Sequence, residues 1–173
     1  ISVVKAMNLL GLPAKERITG VDLADKLLRR AGEQGKSVYL LGAKEEVVSA
    51  LAQKLKAQYP QMEVRYKNGY GKDKDADFRD IEAFQPDLVL VALGVPAQEK
   101  LIARHLGNFS KGVFIGVGGS FDVLSGSKRG APALFVKTNT EWLYRILREP
   151  SRLGRFYRNN IKFLGEVRKE AKG

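Results

Sequence analysis

Cysteine is missing from the 173 residues, and histidine occurs once, as His105. The first absence excludes thiolate zinc sites, CxxC redox chemistry and a cysteine nucleophile. The second leaves too few imidazoles for a His-rich metal cage or a Ser/His/Asp relay. No apolar run approaches the roughly 18 residues that a membrane-spanning helix requires. No repeat, low-complexity stretch or Pro/Gly/Ser linker interrupts residues 1 to 127. The chain begins with Ile1 rather than Met and without a basic leader, so a processed or truncated start is expected.

What is present describes a globular chain: 44% hydrophobic residues, 28% charged and a formal net charge of +11. Such a composition excludes a wholly disordered chain, a collagen-like repeat and a disulfide scaffold. The charge is concentrated. Residues 128 to 173 hold 12 basic and 4 acidic side chains, whereas residues 1 to 127 hold 18 and 15. A basic tail suits nucleic acid, an acidic membrane surface or a phosphorylated substrate, and charge alone fits a solvated face equally well.

Short aliphatic runs alternate with helical patterns. Ser37 to Gly42, Glu63 to Lys67, Asp87 to Gly94 and Gly112 to Val117 read as strands. Val21 to Ala31, Lys44 to Tyr59, Ala76 to Phe84 and Ala97 to Leu106 carry apolar residues at three- and four-residue spacing. Repeated strand-then-helix order predicts an α/β fold with a parallel, Rossmann-like sheet and helices on both faces. The run at Leu88 to Leu93, apolar throughout, predicts a central strand. Pro132 to Arg148 and Ser151 to Lys169 read as two helices separated at Glu149-Pro150. The domain reading is therefore an α/β core over residues 1–130 and a basic amphipathic helical appendage over 131–173.

Candidate chemistry lies in the turns. Leu41-Gly42-Ala43, Leu93-Gly94-Val95-Pro96 and Gly116-Val117-Gly118-Gly119-Ser120 fall at strand ends, where backbone N–H groups can approach phosphate. None is a GxGxxG or a GxxxxGKS. Gln98 and Glu99 open the helix after Pro96; Glu99 also complements a helix dipole without any ligand. Asp122, just past the last turn, suits a ribose diol or a helix cap. Tyr70, in Asn68-Gly69-Tyr70-Gly71, suits stacking on a nucleobase or simple packing. Lys72 to Asp77 has the acidic look of a metal loop, but it lacks a calcium loop's glycine and distal Glu. His105, near a helix end, has a bland dipole-complementing role.

Four blocks in order now resemble a known family: Leu93 to Lys100, Gly116 to Asp122, Arg129-Gly130-Ala131-Pro132, and Glu141-Trp142-Leu143-Tyr144-Arg145 with Glu149-Pro150. Together with Glu16 to Asp22 they are similar to the WecG/TagA/CpsF glycosyltransferases over essentially the whole chain. The resemblance implies inverting, metal-independent transfer of an N-acetylmannosamine-type sugar from a UDP-sugar to an undecaprenyl-diphosphate-linked acceptor in cell-surface polymer synthesis of the wall teichoic acid type. It implies no cofactor, no nucleic-acid partner, and a peripheral place on the inner, cytoplasmic face of a bacterial membrane with an anionic surface as partner; a homo-oligomer is left open. By position, Arg17, Gly42, Tyr70, Gly94, Gln98, Gly118, Gly119 and Asp122 would bind the donor, with Tyr70 on uracil and Asp122 on ribose. Gln98, Arg145, Arg152 and Arg155 would act in catalysis. The family's proposed general base, an Asp in a motif ahead of the segment matching Ile1, is not among these residues. The N-terminal part of the family fold is likewise absent, and a chain starting at Ile1 is expected to bind better than it turns over. The alternative from another class is a nucleic-acid-binding module that uses the basic tail.

Overall fold

The structure, a computed structural model, describes residues 2–12, 18–128, 135, 138, 140–148, 150, 153–157 and 163–170. The chain divides into two compact units, one of residues 19–129 and one of residues 1–18 together with 130–173.

The larger unit follows the alternating pattern of the sequence. After helix α2 (Gly20–Glu33) come β1 (Ser37–Gly42), α3 (Glu45–Gln58), β2 (Glu63–Lys67), α4 (Lys74–Phe84), β3 (Leu88–Ala92), α5 (Ala97–His105), β4 (Val113–Gly116) and α6 (Ser120–Leu124); α1 (Ser2–Leu9) belongs to the other unit. The four strands pair in the order β2-β1-β3-β4, all parallel. Strand residues alternate between two cores. Val38, Leu40, Val64, Leu88 and Leu90 pack with α2, α3 and α6, through Leu28, Leu51 and Phe121 among others. Tyr39, Leu41, Val89 and Val91 pack on the opposite side with Phe78 and Ile81 of α4 and Leu101 of α5. Period-2 side chains buried on both faces explain why β3 reads as an unbroken apolar run.

Topology accounts for which helix takes which face. The chain moves outward from β1 to β2 through α3, then reverses across β1 to β3 through α4, and continues to β4 through α5. Crossovers of one hand place helices on opposite faces when the direction of travel reverses. The direction of travel reverses between β1 and β3, and the carboxyl ends of strands beside such a switch point are the usual ligand position in open α/β sheets.

Local signals set the boundaries. Thr19 caps α2, its Oγ1 accepting from the Asp22 N–H at 3.1 Å, and Asp73 caps α4 by accepting from the Ala76 N–H at 2.9 Å. α4 ends at Gln85, whose left-handed φ of 47° turns the chain before Pro86. At the amino edge of the sheet, Asp87 Oδ2 accepts from both the N–H and the hydroxyl of Ser37 at 3.0 Å, while Ser37 Oγ accepts from the Asp87 N–H at 3.1 Å. These bonds, the Ser37 N–H first, hold the Asp87 carboxyl down at about 2.

In the smaller unit α1 packs on the helix Phe163–Glu170. Helices also span Glu141–Arg148 and Leu153–Phe156. No described helix is long and apolar enough to cross a membrane.

Candidate functional site

Parallel strands bring all four of their carboxyl ends to one edge, and the turns there are hydrogen-bonded to one another in sequence. The Gly69 N–H, after β2, donates to Ala43 O at 2.8 Å; the Ala43 N–H, after β1, donates to Ala92 O at the end of β3 at 3.1 Å. Gln98 then joins the turns after β3 and β4. Its Oε1 accepts from the Gly94 N–H at 3.2 Å and the Gly118 N–H at 3.1 Å, and its Nε2 donates to Glu99 Oε1 at 2.8 Å. One side chain thereby spans the two glycine-rich turns.

Two glycines make this closeness feasible. Gly42 has φ of 121°, and a Cβ there would lie 2.4 Å from Ala92 O. A Cβ on Gly116 would lie 2.4 Å from Gln98 Nε2. Both exclude a side chain because backbone or a buried amide already occupies the space.

The candidate donor residues Gly42, Tyr70, Gly94, Gln98, Gly118, Gly119 and Asp122 all lie at this edge. Their surroundings differ. Gln98 is only 2% exposed, and its amide is committed to holding the backbone of the two turns. Tyr70 is 72% exposed on its loop. Gly119 occupies the cap position of α6, and Asp122 stands in its first turn with Oδ1 3.6 Å from the Lys128 ammonium. Arg17 and Arg152 lie outside the described residues. Arg145 and Arg155 fall within the helices Glu141–Arg148 and Leu153–Phe156, and their side chains lie outside the description.

The Lys72-to-Asp77 stretch resolves into structural roles. Asp73 caps α4, Asp75 accepts from Arg104 at 2.8 Å and contacts His105 Nε2 at 2.7 Å, and Asp77 is buried between Lys67 and Lys74. His105 Nδ1 meets Glu82 Oε1 at 2.8 Å, and its ring stacks on Phe78 at 4.8 Å. Two carboxylates on one imidazole make His105 a tie between α4 and α5, a more specific role than complementing a helix dipole. Asp75 is held below the ordinary Asp value, first by its hydrogen bond to His105 and then by Arg104; Glu82 is lowered by Asn108 and then His105. The described residues contain no group of three or more His, Asp or Glu that could hold a metal ion. A cavity of about 420 Å³ wraps the outer edge of β2, lined by Tyr39, Arg65, Tyr66 and Asp80 among others, and includes none of the candidate residues.

Residues 1–173 match the family model described as the glycosyl transferase WecG/TagA/CpsF family. The chain belongs to the WecG/TagA/CpsF family. Two similar members are N-acetylglucosaminyldiphosphoundecaprenol N-acetyl-beta-D-mannosaminyltransferases. The one from Bacillus spizizenii is 40% identical over 153 residues, covering 88% of this chain and 60% of the relative. The one from Staphylococcus aureus strain MW2 is 40% identical over 154 residues, covering 88% and 61%. The chain thus spans about 60% of the length of these WecG/TagA/CpsF relatives.

Proposed function

We propose that this chain forms the donor-binding part of a glycosyltransferase. The reaction moves an N-acetylmannosamine-type sugar from a UDP-sugar to an N-acetylglucosaminyl-diphosphoundecaprenol acceptor, in the making of a wall-teichoic-acid-type polymer. The observation that carries the reading is the convergence of seven candidate donor residues on one sheet edge, beside the β1/β3 reversal. The acceptor follows from the names of the two relatives, each 40% identical to this chain. In this reading Tyr70 meets the uracil, Asp122 the ribose, and the turns at Gly42, Gly94 and Gly118-Gly119 approach the diphosphate; the family resemblance assigns Arg17 to the donor as well.

The chemistry is an inverting displacement. An acceptor hydroxyl attacks the anomeric carbon from the face opposite the diphosphate, the bond from that carbon to the phosphate oxygen breaks, and UDP leaves with the electron pair. The hydroxyl proton passes to a base, assigned by the family resemblance to an Asp ahead of the segment matching Ile1. Negative charge accumulates on the leaving diphosphate, and the guanidinium groups of Arg145, Arg152 and Arg155 are assigned to stabilise it without a metal.

The acceptor's lipid chain stays in the bilayer, so the protein works peripherally at the inner membrane face. Residues 131–173 are its contact there. Exposed Leu143, Leu147, Leu153, Tyr157 and Phe163, together with the basic composition of residues 131–173, support this assignment. A thermal-shift screen tests the donor reading: UDP should raise the melting temperature more than ADP, GDP or duplex DNA does. Equal or greater stabilisation by DNA would replace it with a nucleic-acid-binding function.

A further inference from the structure

Asp77 is a buried charge that the reaction scheme does not use. It sits in the first turn of α4, 3% exposed, with Oδ1 3.1 Å from the Lys67 ammonium and Oδ2 3.4 Å from that of Lys74. Lys67 is the last residue of β2 and Lys74 the first of α4. One carboxylate therefore ties together both ends of the loop 68–73, which carries Tyr70. Lys74 Nζ also donates to Gly71 O at 2.8 Å, and a Cβ on Gly71 would stand 3.2 Å from Asp77 Oδ2, so the loop backbone rests on the ion pair.

The rest of the loop is fixed from above. Asn68 Oδ1 accepts from the Tyr70 N–H at 2.9 Å, Asn68 Nδ2 donates to Glu45 Oε2 at 2.8 Å, and the Gly69 N–H is bound to Ala43 O. The Tyr70 ring projects outward, and Lys72 and Asp73 of the same loop are exposed beside it. Burying a carboxylate between two ammonium groups gains little net stability over an apolar packing, so such a group is better explained by the geometry it enforces.

We propose that Asp77 is a positioning residue for the nucleobase end of the donor site: by anchoring Lys67 and Lys74 beneath Gly71 it holds the 68–73 loop in the one arrangement that presents Tyr70 to the base. This rests on the UDP-donor reading above. It makes the β2–α4 loop a determinant of base binding, separate from the glycine turns that approach the diphosphate.

The experiment is a double-mutant cycle on the full chain, with UDP and inorganic diphosphate each titrated by calorimetry. Tyr70→Ala should weaken UDP binding about tenfold or more, as loss of a base–aromatic stack does. Asp77→Asn should weaken it about tenfold, the double variant should bind like Tyr70→Ala alone, and diphosphate affinity should not change in any of them. Should Asp77→Asn fail to fold, Lys74→Met, which keeps the Lys67–Asp77 pair and cuts the tie to Gly71, is measured in its place and should show the same pattern. Independent effects of Asp77 and Tyr70, or an equal loss of diphosphate binding, would overturn the positioning role while leaving the donor reading intact. Wild-type chain that binds UDP no better than diphosphate would overturn the donor reading and this inference together.

Discussion

Replacing Gln98 with Leu tests how the glycine-rich edge is held together. Leucine keeps most of the volume in a site that is only 2% exposed, so the substitution chiefly removes hydrogen bonds. The N–H groups of Gly94 and Gly118 lose their shared acceptor, and the Glu99 carboxylate loses a donor at 2.8 Å. Each orphaned donor costs about 1–3 kcal/mol when water cannot replace the partner. These two are partly buried, which places the sum at about 2–4 kcal/mol. With a urea dependence of about 2 kcal/mol per molar, the unfolding midpoint should fall by about 1–2 M, read by circular dichroism. Gln98→Glu separates geometry from charge: it keeps an acceptor for both N–H groups but sets a second carboxylate against Glu99, whose donor it removes, so it should recover only part of the stability that Gln98→Leu loses. A Gln98→Leu midpoint within 0.2 M or so of wild type would refute the claim that this amide couples the two turns.

Gly42→Ala should destabilise by about 3 kcal/mol or more, since it adds strain at φ of 121° to a contact of 2.4 Å with Ala92 O; a melting temperature unchanged from wild type would contradict the close approach. Asp87→Asn should be less stable than wild type at neutral pH. Because the native carboxyl is depressed to about 2, that advantage of wild type is present above the ordinary Asp value and disappears as the pH falls through about 2. Denaturation at a series of pH values checks this, and a deficit independent of pH would show that the carboxylate charge is irrelevant. Arg152→Ala, in an enzyme able to transfer sugar, should lower the transfer rate at least tenfold while vesicle binding changes less than twofold, measured by product formation and co-sedimentation; the opposite pattern would make the arginine a membrane contact only.

The layered α/β architecture was legible because hydrophobic period and glycine placement both report on local geometry. The strand at 88–92 needed only its unbroken apolar run, whereas the caps at Thr19 and Asp73 emerged only with the structure. Gln98 was legible as a candidate at the sheet edge, since it stands just past a strand-end turn, but not as a buried crosslink. Where an amide points depends on Gly116 and Gly118, about 20 residues away, and no spacing rule encodes that. Asp77 was hidden for a similar reason: in the run Lys72 to Asp77 its neighbours are exposed carboxylates of the same type, and only the register of α4 beneath β2 selects it for burial. His105 looked isolated because its partners, Asp75 and Glu82, come from the preceding helix. The grouping of α1 with the tail residues is likewise a contact between chain ends that local pattern does not carry.

The hydrogen bonds that link the strand-end turns also govern how such a protein can be re-engineered. Loops at the edge of an α/β sheet are commonly treated as exchangeable cassettes, each grafted without regard to the others. Here a graft that replaces the turn at Gly116 to Ser120 with one bearing a side chain at position 116 would evict the Gln98 amide, and the turn after β3 would lose its support although its own sequence is unchanged. The geometry of this edge should therefore yield to libraries that vary residues 94, 98, 116 and 118 together, and resist those that walk through the turns one at a time.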